Sequence, residues 1–301
     1  MRPEAVTDIQ SLASADVTTG GRVLTDVALR QFRDDGFLCP VPAVGRARAL
    51  DLRQRLEAVE RRYGGVLPTP MVLKAHLLFP WLDETIRDPR ILDPIEDIVG
   101  PDIFCWSTRL FIKNPHDGGF LAWHQDLTYW GLDASTNVVT AWLALSPATR
   151  ISGVTKVVPG THRKLVRHRK GKKASMLQRG QEIAVDVNEN DAVYMELKPG
   201  DMSLHHGLIF HASDENQGDD RRIGLAIRYI STNVRPLVGL PRDHVTLVRG
   251  NDVYGYYDHE TAPLSDLDAA AVEHHRVVCD RYKEIHDLSA KLHPAIVGET
   301  A

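Results

Sequence analysis

The stretch Lys198-Pro199-Gly200-Asp201-Met202-Ser203-Leu204-His205-His206-Gly207-Leu208-Ile209-Phe210-His211-Ala212-Ser213-Asp214-Glu215-Asn216 decides how this chain is read. Lys198 to Asp201 is the chemistry of a tight turn, proline then glycine, opening onto an apolar run of strand-forming residues. The pattern predicts a strand over Met202–Ile209 that carries His205 and His206 and ends at Phe210-His211. Ala212 to Asn216 then reads as a turn, and Arg221-Arg222 opens another apolar strand.

Further short β-rich runs lie upstream, at Ile103–Trp106, Arg109–Lys113, Val138–Leu145, Lys156–Val158 and Ala192–Leu197, with a last one at Ile223–Thr232. Asn114-Pro115 and Asp117-Gly118-Gly119 are turn residues between such runs. Before Pro101 the period is helical. Thr25 caps a helix through Val27, Leu29 and Phe32 that stops at Gly36. Residues 44–63 form a second helix ending at Gly64-Gly65, and Asp83 to Val99 a third. A final amphipathic helix over Ser265–Leu292 is expected to pack on the outside, with Ala269–Ala271, Val272, Val277, Tyr282 and Ile285 on one stripe. The fold class is therefore mainly β with flanking α-helices, a sandwich or jelly roll. We divide the chain into a loosely ordered leader, 1–22, and a single domain, 23–301. That domain comprises a helical part (23–100), a jelly-roll core (101–235) with a basic insertion at about 162–180, and a C-terminal loop and helix (236–301).

Bulk properties narrow the function. The 301 residues are 43% apolar and 25% charged, values ordinary for a globular protein. A formal charge of −4 argues against nucleic-acid binding. No run approaches the roughly 18 apolar residues of a membrane span, and Met1–Arg22 lacks a hydrophobic signal core. Cys39, Cys105 and Cys279 are odd in number and far apart, so neither a disulfide framework nor a zinc knuckle is supported. Inert thiols in a reducing cytoplasm are the expectation.

The chemistry rests on Trp123-His124-Gln125-Asp126. On a strand, residues i and i+2 share a face, so imidazole and carboxylate reach one point. Alone this is a weak motif. His211, on a neighbouring strand, would complete two histidines and one carboxylate, the facial set that leaves iron(II) with open positions for a bidentate cosubstrate and O₂. Arg222 follows His211 by 11 residues and would point back into the same barrel. Its planar fork suits the far carboxylate of a diacid, with Ser213 adding a hydroxyl.

Taken together, these features resemble the phytanoyl-CoA dioxygenase family. The matching parts are His124-Gln125-Asp126, Ala141-Trp142-Leu143-Ala144-Leu145, Val158-Pro159-Gly160-Thr161-His162, and Gly200-Asp201 with His211-Ala212-Ser213, Asn216 and Arg222, in that family's order over about residues 100–232. The resemblance implies a double-stranded β-helix of the cupin-like kind. It also implies iron(II) at His124, Asp126 and His211, and 2-oxoglutarate chelating that metal with its far carboxylate on Arg222 and Ser213. By the same likeness Trp142 lines the cosubstrate pocket, and Lys74 and Leu110 touch cosubstrate or substrate. The chain departs from the family at Arg150-Ile151-Ser152-Gly153-Val154, where members often carry an acidic-Asn-Gly-Cys-like turn, a change of loop rather than of ligand.

Around this centre, Trp123, Tyr129 and Trp130 offer an apolar wall to a substrate, and Gln125 and His206 are candidate pocket residues. Alternation puts His206 on the face opposite His211, which equally suits a structural role. His205 shares the face of His211 but sits about 20 Å away at about 3.3 Å per residue. The basic run Arg163–Lys173 reads either as a solvated insertion or as a lid whose Arg167, Arg169 and Lys170 hold an anionic substrate group. The implied reaction couples 2-oxoglutarate decarboxylation, with release of succinate and CO₂, to hydroxylation of an aliphatic C–H in a small metabolite of a biosynthetic pathway. Desaturation or ring formation could follow from the same oxidant. A halogenase of this fold needs a small residue where Asp126 stands and is disfavoured. A non-catalytic cupin-like binding protein leaves the full set without purpose, and a zinc hydrolase leaves Arg222 without one.

Overall fold

The computed structural model describes residues 7–8, 23–128, 130–133, 137–171, 175–177 and 181–292. Most of the expected leader lies outside them; the backbone of Thr7–Asp8 pairs with Lys164–Leu165. Among the described residues, no helix is long and apolar enough to cross a membrane.

The N-terminal helices form as their caps dictate. Thr25 accepts a hydrogen bond from the Ala28 amide at 3.2 Å, the helix runs Asp26–Asp35, and Gly36 closes it at φ 83°. A second helix occupies Arg46–Arg62. The third expected helix is two, Pro80–Ile86 and Pro89–Val99. The break falls at Asp88-Pro89, because a residue before proline is driven out of the α region. Asp88 then caps the next helix through the Arg90 amide at 2.9 Å.

A seven-stranded sheet runs in the order Asp258–His259, His244–Arg249, Ile103–Lys113, Arg222–Ser231, Val138–Ala144, Asp201–His206, Phe37–Pro42. Its first pair is parallel and the rest antiparallel. The edge strand Phe37–Pro42 was not expected; Pro40 and Pro42 are tolerated there because an edge leaves one row of amides unpaired. The runs Ile103–Trp106 and Arg109–Lys113 are one strand. Every residue of Arg222–Ser231 is buried, since helices cover one face of this sheet and the barrel interior the other. Leu52, Leu56, Leu82 and Ile91 of the helices pack there against Leu110, Leu143, Leu225 and Ile227. Cutting any of these leucines to alanine should cost about 2–5 kcal/mol.

A four-stranded sheet completes the jelly roll: Val193–Tyr194, Thr155–Val158, Phe210–Ser213, Leu121–His124. The passage between sheets corrects the sequence reading. Met202 to His211 is not one strand. Asp201–His206 belongs to the larger sheet and Phe210–Ser213 to the smaller, and Gly207-Leu208-Ile209 turns the corner between them. The Ile209 amide donates to His206 O at 3.0 Å, and Leu127 donates to Gly207 O at 3.0 Å. A Cβ at Gly207 would come within 2.9 Å of Leu127 Cγ, so glycine lets the two segments close.

Candidate active site

His124 and His211 end up directly opposite one another on adjacent antiparallel strands, their ring centroids 4.0 Å apart. Asp126 meets them by a different route from the one expected. It opens a 3₁₀ turn, Asp126–Thr128, rather than continuing the strand. Its Oδ1 lies 3.6 Å from His124 Nε2 and 3.9 Å from His211 Nε2. Potential ligand atoms of the three residues all fall within 4.8 Å of each other, and all three side chains are buried.

The imidazoles are held in the tautomer a metal needs. His124 Nδ1 is 2.8 Å from Ala122 O and His211 Nδ1 is 3.1 Å from Ile209 O. Each Nδ1–H donates to a carbonyl, so each Nε2 turns a lone pair toward Asp126. Burial, with His124 close by, pushes the His211 pKa well below the ordinary histidine value. Burial opposes ionisation of Asp126, but Arg228, His211 and His124 outweigh it and hold the carboxyl far below the usual range. Two imidazole nitrogens and one carboxylate in a buried cluster fit a divalent ion of the iron, nickel or zinc type.

Arg222 opens its strand opposite Lys113. It is 1% exposed, and its guanidinium makes no hydrogen bond or ion pair among the described residues. Its carbon sits 5.2 Å from the Trp142 ring centroid, and Trp142 in turn lies over Gly224, where a Cβ would come 1.9 Å from the ring. Burial pulls the Arg222 pKa down to about 10 despite the opposing charge of Asp117. Beside it, Lys113 Nζ donates to Ser213 Oγ at 2.7 Å and to Asp214 O. Burial and the neighbouring Arg222 bring the Lys113 pKa down to about 7. Ser213 lies two residues beyond His211. Asn216 fixes the return of the chain by donating to Lys113 O and Asp220 O. Arg221 turns away into a bidentate ion pair with Glu60. Lys113 escaped the sequence reading; alternation along Arg109–Lys113 was the signal that could have found it.

That alternation also corrects Leu110. It packs under the helices, whereas its neighbours Arg109 and Phe111 line the cavity that holds His124 and Asp126. Lys74 has other partners: its Nζ is 2.5 Å from Glu260 Oε1 and 2.8 Å from His244 O in a network completed by His76 and Thr246. Gln125 is a strut, its amide donating to Lys164 O and Leu208 O and accepting from the Val166 amide. Trp123 faces a separate hollow, where its indole donates to Glu189 at 2.7 Å.

The paired histidines keep the faces expected of them, but the corner at Gly207 brings His205 close to His211 and leaves His206 out of the pocket. His205 comes within 5.1 Å of the His211 ring, and its Nδ1 has no hydrogen-bond partner among the described residues. His206 points to the other side, against His162 at 5.1 Å. Burial lowers both, His205 to about 4 and His206 to about 3.

Trp130 does line the cavity; Tyr129 lies outside the described residues. Within the basic insertion, Arg167, Arg169 and Lys170 are exposed, with Arg169 paired to Glu182. Among the insertion's described residues, those that line the cavity are apolar, Met176 and Leu177. The C-terminal helix, Ala269–Leu292, is not merely external, since Tyr282 and His286 complete the wall. Val272 and Val277, expected on its buried stripe, are exposed.

Comparison with known proteins agrees with this geometry. ThoJ, whose apo structure is described as that of a non-heme monooxygenase, is 35% identical and superposes with a TM-score of 0.78 over 88% of this chain and 99% of that one. CytC3, solved with Fe(II) and alpha-ketoglutarate, shares the fold at 20% identity and a TM-score of 0.59, over 82% of this chain and 97% of its own. Human peroxisomal phytanoyl-CoA dioxygenase is 31% identical over 150 residues, 48% of this chain and 44% of that protein. A probable alpha-ketoglutarate-dependent hypophosphite dioxygenase of Stutzerimonas stutzeri is 28% identical over 171 residues, 54% of this chain and 58% of its own. The chain thus spans about half the length of the curated relatives it matches. The phytanoyl-CoA dioxygenase (PhyH) profile matches residues 32–224, which include His124, Asp126, His211 and Arg222. On that match, this chain belongs to the phytanoyl-CoA dioxygenase (PhyH) family of iron(II)- and 2-oxoglutarate-dependent oxygenases.

Proposed function

We propose that this chain hydroxylates an aliphatic C–H of a small molecule, with iron(II) held by His124, Asp126 and His211 and 2-oxoglutarate as cosubstrate. The observation that carries the reading is Arg222. A fully buried guanidinium with no hydrogen-bond acceptor among the described residues is costly, and such a group persists where a ligand supplies the missing charge. Ser213, Lys113 and the Trp142 face surround it, a setting for the far carboxylate of a diacid. ThoJ, similar over most of this chain, is itself described as a non-heme monooxygenase.

When bound, the iron and cosubstrate supply the oxidising power, reducing O₂ at the expense of 2-oxoglutarate with release of succinate and CO₂. The chain's own residues do the positioning. The Ala122 and Ile209 carbonyls lock the imidazoles so that ligand geometry does not depend on the metal. Arg222 and Lys113 neutralise the remote carboxylate. Trp130, Leu177 and Tyr282 exclude water from the face where substrate must approach. Asp126 occupies the position a halogenase leaves open for halide, which favours oxygenation. Desaturation and ring closure use the same residues. Anaerobic titration of iron(II) with 2-oxoglutarate tests the reading: a weak visible charge-transfer band is expected, lost in Arg222→Gln at moderate cosubstrate concentration. No band in the wild type overturns it.

A further inference from the structure

The cavity on the metal ligands carries a charge imbalance that iron and 2-oxoglutarate do not resolve. Arg109, opposite Ala226, and Arg228, opposite Ser107, stand on adjacent antiparallel strands two register positions apart, and both line it. Asp126 is the one carboxylate among its described lining residues; Tyr282 and His286 are the other titratable groups beside His124. Arg228 is 6% exposed, and its Nε and Nη1 have no hydrogen-bond partner among the described residues. Its nearest acid is Asp126, with Nε 3.9 Å from Oδ2, beyond hydrogen-bonding reach. Arg109 makes no hydrogen bond among the described residues.

Each guanidinium is stacked on an aromatic face. Arg228 lies 5.0 Å from the Trp130 centroid and Arg109 5.3 Å from that of Phe111. Stacking fixes the plane of the fork and leaves the N–H edge free to donate, the preorganised state of a bidentate oxyanion receptor. Formal charges make the same point. Iron(II), Asp126, doubly ionised 2-oxoglutarate and Arg222 sum to zero, so among the described lining residues Arg109 and Arg228 leave a net charge of +2 even with Arg228 near Asp126. Like charges this close in a water-poor space persist where something anionic joins them.

We infer that the substrate carries an oxyanion, a carboxylate or phosphate, that Arg109 and Arg228 grip from adjacent strands, which would orient the carbon to be oxidised at the metal. The inference rests on assigning the Arg222 end to the cosubstrate. It differs from the lid reading of the basic insertion, whose Arg167, Arg169 and Lys170 are exposed.

The test is binding rather than turnover. Benzoate, phenyl phosphate, benzylamine and benzyl alcohol differ in charge on a common ring. Each is titrated by ligand-observed NMR into the full-length, metal-free protein, with chelator and saturating 2-oxoglutarate present. Benzoate or phenyl phosphate should bind at least tenfold more tightly than benzylamine and benzyl alcohol, and whichever oxyanion binds better names the group. Arg109→Gln and Arg228→Gln should each weaken that oxyanion at least fivefold and together erase the preference. Equal binding of all four probes by the wild type overturns the inference without any variant having to fold. Retention of the preference in the double variant overturns it too. So does loss of 2-oxoglutarate binding in Arg109→Gln or Arg228→Gln but not in Arg222→Gln, which would make these arginines the cosubstrate anchor. If Arg222→Gln leaves 2-oxoglutarate binding intact while the oxyanion preference stands and depends on Arg109 and Arg228, the cosubstrate assignment fails and the oxyanion site does not.

Discussion

Replacing Arg222 with methionine should make the ligand-free protein more stable while removing its response to 2-oxoglutarate. Burial takes the guanidinium pKa from 12.5 to about 10. A tenfold change in proton affinity is about 1.4 kcal/mol, so keeping the cation at this position costs the folded state about 3 kcal/mol at neutral pH. Its contact with Trp142 returns part of this, about 0.5–2 kcal/mol for a desolvated cation on an aromatic face. Methionine fills similar space without a charge. The variant should therefore gain about 1–3 kcal/mol, a rise in melting temperature of roughly 2–6 °C for a chain of this size. The wild type should recover its deficit on binding the diacid, by about 2.7 kcal/mol at a hundredfold excess over the dissociation constant. Thermal denaturation with and without 2-oxoglutarate measures both quantities. A variant that melts below the wild type in buffer alone, or that rises with 2-oxoglutarate as the wild type does, would refute the reasoning, since Arg222 would then have a structural partner or no part in cosubstrate binding.

Three further outcomes follow from the same geometry. His211→Ala should lower the affinity for iron(II) or nickel(II) at least a hundredfold in a chelator competition, with little change in circular dichroism, because the strand ladder does not use the imidazole. Gly224→Ala drives a methyl to 1.9 Å from the Trp142 ring; it should cost about 1–3 kcal/mol in urea denaturation and weaken 2-oxoglutarate several-fold by tilting that ring against Arg222. Lys113 should make stability depend on pH in a definite direction. Its amine loses a proton near 7 when folded and near 10.5 when unfolded, so between these values the unfolded chain holds more protons and stability rises with pH. Subtracting the curve of Lys113→Met isolates the effect, and a difference that is flat or falls from pH 7 to 10 would show the amine to be fully charged in the fold.

The metal triad was legible because its parts announce themselves at a distance: a His-x-Asp, a turn-flanked histidine, and an arginine on the next strand. Helix ends were legible where a side chain fixes them, as Thr25 and Gly36 do. What failed was distance and, at one position, facing. Reading Met202 to His211 as one strand gave His205 and His206 their correct faces but set His205 far from His211, and the Gly207 corner brings the two rings within 5.1 Å. Gly207 itself was the available signal, a glycine inside a strand pattern. Leu110 was taken for Arg109 or Phe111, its neighbours of opposite facing. Gln125, Trp123 and Lys74 have partners at Lys164, Glu189 and Glu260, contacts that span the fold and leave no mark in local sequence.

The C-terminal helix gives the pocket two kinds of support. His124, His211 and Arg222 stand on strands locked to their neighbours by backbone ladders, where movement breaks several hydrogen bonds at once, and Asp126 follows on a short 3₁₀ turn. Tyr282 and His286 stand on a helix that rests on side-chain contacts, such as Tyr282 on Trp106 and His275 on Leu73 O. That helix, together with Arg228, also lies beyond residue 224, where the match to the family profile ends. A small roll of the helix would reshape the mouth of the cavity without disturbing iron or cosubstrate. Engineering a new substrate into this scaffold is therefore best begun at the buried face of residues 275–289, where the wall can be recut while the oxidising centre stays as it is.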